Sequence, residues 1–196
     1  MVAASAHWIA AARARESRRE DALFVDPFAA DLAGDLGFTM MARSEDATGQ
    51  ENSYIPVRVR FFDDAVLAAT SGRLDQVVVL GAGLDTRPFR LDVPHRLRWF
   101  EVDRAEVLAR KQQILGETPS RCDRRVVAAD LRDDWTAPLK AAGRATRASR
   151  RRHLFHSRTG SGIHGTVRPA VAGTRRRTDV IAGRITCSRG RAWPDA

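Results

Sequence analysis

Two glycines and two aspartates, each placed at the end of an apolar run, are the residues of this chain best spaced to do chemistry. The glycines are Gly81 and Gly83, in QVVVLGAGLDTRPFRL; the aspartates are Asp103, in RWFEVD, and Asp130, in VVAADLRDDW. A strand running into Gly-x-Gly lets the backbone turn tightly and approach a ligand where a Cβ would collide, and a helix beyond it offers unpaired N–H groups. Asp103 follows Gly83 by 20 residues, a spacing from which a carboxylate can accept both hydroxyl protons of a ribose. It also opens a helical run with Glu106 three residues on, so the same residue reads equally as a helix cap. Asp130 stands to its own apolar run as Asp103 does, and beside the apolar Leu131 it can face an adenine ring. Its other reading is a turn aspartate.

The glycine turn alone does not choose its ligand. A dinucleotide fingerprint wants a third glycine where this chain has Thr86, and no G-x-x-x-x-G-K-[ST] phosphate loop occurs. Ribose and adenine contacts without a nest for several phosphates describe an adenosine lacking pyrophosphate, and S-adenosyl-L-methionine is the cofactor that fits. A nicotinamide-dependent dehydrogenase is the alternative enzyme reading, disfavoured by Thr86 and by the adenine-type Asp130.

The elements that must position these groups are legible around them. Strand candidates run from Gln76 to Leu80, Leu97 to Val102 and Arg125 to Ala129, short and apolar as in a parallel sheet covered on both faces. Asp103 with Glu106 predicts a capped helix through Leu115, closed by Gly116 and Pro119. Upstream, helices are predicted over Ala3 to Arg19, Ala29 to Leu36 and Val57 to Thr70, with Ser44 to Ser53 a loop. Strands alternating with helices give an α/β fold, a doubly wound Rossmann-like parallel sheet preceded by N-terminal helices.

These pieces, taken in order, resemble a known family. RESRREDALFVDPFAADLAG, SYIPVRVRFFDD, VVVLGAGLDTRPFRL, FEVDRAEVLARKQ and VVAADLRDDW look like the class I S-adenosylmethionine-dependent methyltransferases of the actinobacterial group related to leucine carboxyl methyltransferases and polyketide O-methyltransferases. The resemblance covers residues 1–142. It implies that Gly81, Ala82 and Gly83 approach the methionine part, that Asp103 holds the ribose, and that Asp130 and Leu131 contact the adenine. It makes Arg58 a candidate for the methionyl carboxylate, against its reading as an exposed helix charge. The implied reaction is in-line methyl transfer to an oxygen of a small molecule or carboxylate. No catalytic base is identified, since His7 and His95 stand alone.

Composition divides the 196 residues sharply. Residues 1–142 hold 20 Lys and Arg against 22 Asp and Glu, whereas residues 143–196 hold 13 Arg, no Lys and 2 Asp, with as many glycines as the first 142. The net charge of +9 therefore belongs to the last quarter. That quarter lacks the period of a strand or a helix, Thr178 to Thr186 being its only helix candidate, and it is expected to be a disordered basic tail without the later strands of the sheet. It reads as a coding sequence out of frame; the rival reading is a nucleic-acid-binding tail with His153, Phe155 and Trp193 as stacking groups. Three strands alone would leave one sheet edge unpaired, which puts the activity of this chain in question. Two cysteines exclude a disulfide framework, no metal cluster is suggested, and no run of about 18 apolar residues crosses a membrane. The expected compartment is cytoplasmic.

Overall fold

The computed structural model describes residues 4–71, 74–143, 153–156 and 179–181. Three helices come first: α1 (Ala4–Glu16), α2 (Ala29–Thr48) and α3 (Tyr54–Ser71). Strands and helices then alternate as β1 (Gln76–Leu80), α4 (Arg87–Arg90), β2 (Arg98–Asp103), α5 (Ala105–Leu115), β3 (Asp123–Ala128) and α6 (Thr136–Ala141), followed by β4 (His153–His156) and β5 (Asp179–Ile181). The strands form one sheet in the order β3-β2-β1-β4-β5, with every neighbouring pair parallel. Placing β1 centrally, with the chain winding outward first to one side and then to the other, makes this a doubly wound α/β sheet.

Period-two alternation in the strands feeds two different cores. Val77 and Val79 of β1 and Trp99 of β2 pack with Phe62 and Val66 of α3, while Val78 and Leu80 of β1 and Phe100 and Val102 of β2 pack with Val127 and Leu139 of the β3–α6 side. Burial on both faces explains why β1 is an unbroken apolar run. The register then aligns the strand ends. Leu80 pairs with Val102, which pairs with Val127, and Asp103 pairs with Ala128. Gly81, Asp103 and the residues just past Ala128 thus leave the sheet at one carboxyl edge, which is where open α/β sheets bind ligands.

Three expectations need correction. The predicted loop from Ser44 to Ser53 is helical as far as Thr48, because Phe38 and Met41 continue the helical spacing and pack against α1. Gly49 ends α2 at φ 67°, donating its N–H to the Glu45 carbonyl at 2.7 Å. Second, short strands occur after Gly143, the four residues of β4 pairing with β1 and the three of β5 with β4, while the incomplete doubly wound sheet preceded by helices is as expected. An unpaired strand edge presents free N–H and C=O groups that another extended segment can pair with. Third, Asp179–Ile181 is a strand inside the segment predicted as a short helix, in keeping with its consecutive β-branched residues Val180 and Ile181. The remainder of residues 144–196, Trp193 included, lies outside the described residues. Among the described residues no helix is long and apolar enough to cross a membrane.

The first two helices pack closely at Gly37, which brings no side chain to the point where α2 passes the His7 backbone. A Cβ built on Gly37 would lie 2.4 Å from the His7 carbonyl oxygen, a backbone atom that cannot step aside. Gly37→Ala is therefore expected to push α2 off α1 and cost roughly 1–3 kcal/mol of stability, the range for overpacking. Urea denaturation checks it, and an unchanged midpoint would mean that the two helices are free to separate.

Candidate functional site

At the carboxyl edge of the sheet lies a cavity of about 450 Å³. Its walls come from α1, α3, the turn after β1, the start of α5 and the loop after β3. All seven residues singled out from the sequence line it: Arg58, Gly81, Ala82, Gly83, Asp103, Asp130 and Leu131. His7 and His95 do not. The His7 Nδ1 lies 3.0 Å from the Leu32 carbonyl oxygen, tying α1 to α2, and His95 is exposed.

The glycine turn closes on itself rather than opening as an anion nest. Gly81 and Gly83 adopt φ of 66° and 51°, values that side chains disfavour. In that conformation the Gly81 and Ala82 N–H groups both donate to the Val102 carbonyl, at 2.8 and 3.2 Å. The Gly83 N–H donates to Asp103 Oδ2 at 2.7 Å. The amides of Gly81, Ala82 and Gly83 are thus all consumed within the protein, and none of these three is left for a pyrophosphate. Asp103 Oδ1 accepts the Arg104 N–H at 2.8 Å, and the carboxylate keeps lone pairs toward the cavity. The expected capping box is absent: Arg104, not Asp103, occupies the N-cap of α5 without a side-chain cap bond, and Glu106 pairs with Arg104 at 3.1 Å. Asp103 is instead the clasp between the β2 end and the glycine turn.

Beneath the turn lies a buried polar network whose members sequence reasoning missed. Arg13 of α1 donates through Nη1 to Asp26 at 2.7 Å and to the Thr86 hydroxyl at 2.9 Å, and through Nη2 to the Leu84 carbonyl at 2.7 Å. The Thr86 hydroxyl donates to Asp26 at 2.6 Å. Arg87 bridges Asp85 and Asp63, both at 2.8 Å, and Arg90 donates to the same Asp63 oxygen at 2.8 Å. Three arginines balance three aspartates, and together they fix α1, α3 and the turn to one another. Burial alone would push the Asp85 carboxyl up, but Arg87, Lys111 and Arg13 hold it well below the usual carboxylate range. Thr86, noticed only as a missing glycine, is a hub. Asp26 lies in RESRREDALFVDPFAADLAG, Asp63 in SYIPVRVRFFDD and Asp85 to Arg90 in LDTRPFR, with Arg13 outside all three, and groups that pair across 13 to 73 residues of chain have no local pattern.

Arg58 stands apart from that balance. It shares the cavity wall with Phe62, over whose ring its guanidinium lies at 5.8 Å, and burial pushes its pKa below the ordinary value. Among the described residues no carboxylate bonds to it, so it is a cation available to an anionic group in the cavity. At the opposite end, Asp130 is held by Arg132, whose Nη2 donates at 2.6 Å and whose Nε and backbone N–H donate at 3.0 and 2.9 Å. Those bonds hold the Asp130 carboxyl far below its usual value. Among the described residues no cluster of three His, Cys, Asp or Glu could hold a metal.

Residues 6–153 match the family model described as leucine carboxyl methyltransferase. The chain belongs to that family. The match begins inside α1 and reaches the first residue of β4, eleven residues past the point where the sequence pattern changes. Similar proteins carry names of candidate S-adenosyl-L-methionine-dependent methyltransferases. One from Parafrankia sp. (strain EAN1pec) is 46% identical over 145 residues, covering 69% of this chain and 46% of its own length. One from Saccharopolyspora erythraea is 43% identical over 142 residues, covering 69% and 50%, and one from Mycobacterium marinum is 40% identical over 164 residues, covering 72% and 50%. The chain spans about half the length of the curated relatives it matches. All the residues lining the cavity except Ser5 fall within the part matched by the leucine carboxyl methyltransferase family model.

Proposed function

We propose that the cavity binds S-adenosyl-L-methionine and that the protein serves methyl transfer to an oxygen of a small molecule or carboxylate. The observation that carries this reading is the closed glycine turn: the amides of Gly81, Ala82 and Gly83 are spent on Val102 and Asp103, so the Gly-x-Gly itself offers no donor to a pyrophosphate and suits a nucleoside without one. In this reading residues 1–142 form the cofactor-binding domain. Asp103 accepts the ribose hydroxyls through its remaining lone pairs, Asp130 and Leu131 take the adenine edge and face, and Gly81 to Gly83 let the backbone approach the methionine chain. Arg58 pairs with the methionyl carboxylate.

When bound, the cofactor supplies a methyl group on a positive sulfonium, an already activated donor. The protein's own contribution is then chiefly geometric: to hold both ends of the donor so that its methyl group faces the acceptor in line. Arg58 of α3 and the Asp103–Asp130 pair past β2 and β3, which all line the cavity, are suited to that task. The buried network keeps them in register, because α3 carries both Arg58 and Asp63, and Asp63 is tied to Arg87 and Arg90 of α4.

A competition experiment tests the reading. S-adenosylhomocysteine and NAD are titrated separately into the full chain by calorimetry, and S-adenosylhomocysteine is expected to bind at least about tenfold more tightly, the loss of one charge-assisted anchor being worth that much. Tighter binding of NAD would move the protein to the dehydrogenase reading.

A further inference from the structure

The loop after β3 presents an arginine that nothing in the proposed chemistry uses. Arg132 lines the cavity with its side chain 80% exposed, and its hydrogen bonds go to one residue, Asp130. Its Nε and backbone N–H both donate to Asp130 Oδ1, at 3.0 and 2.9 Å, and its Nη2 donates to Oδ2 at 2.6 Å. A carboxylate has about four lone-pair positions. An adenine amino group seeking Asp130 therefore meets an acceptor on which Arg132 already places three donors. One position remains, and release of the fork, whose side chain is exposed to solvent, frees the others for the incoming amino group.

Where it would go follows from what else surrounds that end of the cavity. Leu131, Val107 and Ala129 line it and offer an apolar wall to one face of a flat ring. Phe62 is the one aromatic side chain among the lining residues, and it lies under Arg58 at the far end. Arg104 is engaged with Glu106 at 3.1 Å. Arg132 is thus the planar group in reach of the second ring face. A guanidinium stacks on an aromatic face more readily than an ammonium does, and the stacked position keeps it within Coulomb range of the carboxylate it has released.

We propose that Arg132 closes on Asp130 when the site is free and, when a purine nucleoside enters, swings over the ring and caps its exposed face. The inference rests on the nucleoside reading of the cavity. It makes Arg132 a binding residue for the purine ring itself, indifferent to the amino group that Asp130 reads.

That indifference supplies the test. Wild type, Arg132→Ala and Arg132→Lys are titrated by calorimetry with S-adenosylhomocysteine and with its inosine counterpart, S-inosylhomocysteine, which keeps the ring but lacks the amino group. Capping predicts that Arg132→Ala loses about two- to thirty-fold in affinity for both ligands alike, the range of a cation–ring contact. Arg132→Lys, which keeps the charge but not the plane, should fall between. A loss confined to S-adenosylhomocysteine would overturn the inference, since Arg132 would then only aim Asp130 at the amino group. Unchanged affinity, or tighter binding by Arg132→Ala, would overturn it too, the latter making Arg132 a mere competitor for the carboxylate. Wild type that binds neither ligand removes the nucleoside reading itself and the cap with it, a result distinct from a cap that fails on a site that binds. The exposed position makes misfolding of either variant a minor concern, and matching melting temperatures verify it.

Discussion

Asp103→Ala is expected to weaken S-adenosylhomocysteine binding by roughly 1.5–3 kcal/mol, or about ten- to a hundred-fold in Kd. Two losses combine in that figure. The ribose hydroxyls lose a charged acceptor, and the Gly83 N–H loses the oxygen that holds it at 2.7 Å, so the turn is no longer clasped to the end of β2. Asp103→Asn separates them, because a side-chain carbonyl can still accept from Gly83 while the charge is gone; its affinity should lie between those of the alanine variant and the wild type. Stability should fall only modestly, since Arg104 and not Asp103 caps α5. Calorimetry on the three proteins, with urea midpoints beside it, decides the matter: equal affinity for wild type and Asp103→Ala would falsify the ribose assignment.

The fate of Asp103 shows what could be read from the sequence and what could not. The order of strand, glycine turn, strand and aspartate was legible because each feature is local: a run of Val, a Gly pair, an acid behind RWFEV. Those local signals located the carboxyl edge and the glycines and aspartates that line the cavity there, whereas Arg58 entered through the family resemblance, and β1 and the end of β2 lie within one residue of their expected bounds. The bond from Asp103 to Gly83 was not legible, since it depends on how far β2 extends past β1, a matter of register. Arg13, Asp26, Asp63, Thr86 and Arg90 were missed for the same reason. Each looks like an ordinary surface charge or a turn hydroxyl until three helices and the turn converge on them. The tail failed differently. Its composition argued against strands, yet the four residues of β4 and the three of β5 pair along the sheet.

Removing Glu101 is expected to be the most damaging single change to the fold. Glu101 lies on β2 between Trp99 and Asp103 and is fully buried, as is Lys111 of α5. The Lys111 Nζ donates to Glu101 Oε1 at 2.6 Å, and Arg124 of β3 donates to Oε2 through Nη2 at 2.8 Å and through Nε at 3.0 Å. Glu101→Ala strands a buried ammonium. The cost of breaking such a pair is about 3–5 kcal/mol, a large share of the 5–15 kcal/mol that holds a typical domain together. The double variant Glu101→Leu with Lys111→Met should recover most of that loss, because it removes both charges and refills their volume, while Arg124 keeps its bond to Gln112 at 3.0 Å. The pH dependence has a definite sign. Burial already pushes the Lys111 pKa below its ordinary value, and Glu101 is the strongest influence pulling it back up. Without Glu101 the depression deepens, so between the folded and the ordinary pKa the unfolded chain binds a proton that the folded chain does not. Stability of the single variant should therefore climb with rising pH across that window, more steeply than in the wild type, and the double variant should lose that part of the slope. Urea midpoints measured through the alkaline range read all three proteins. A Glu101→Ala loss below about 1 kcal/mol, the worth of an exposed pair, would mean that water reaches Lys111 and that the edge of the sheet beneath Asp103 is not closed.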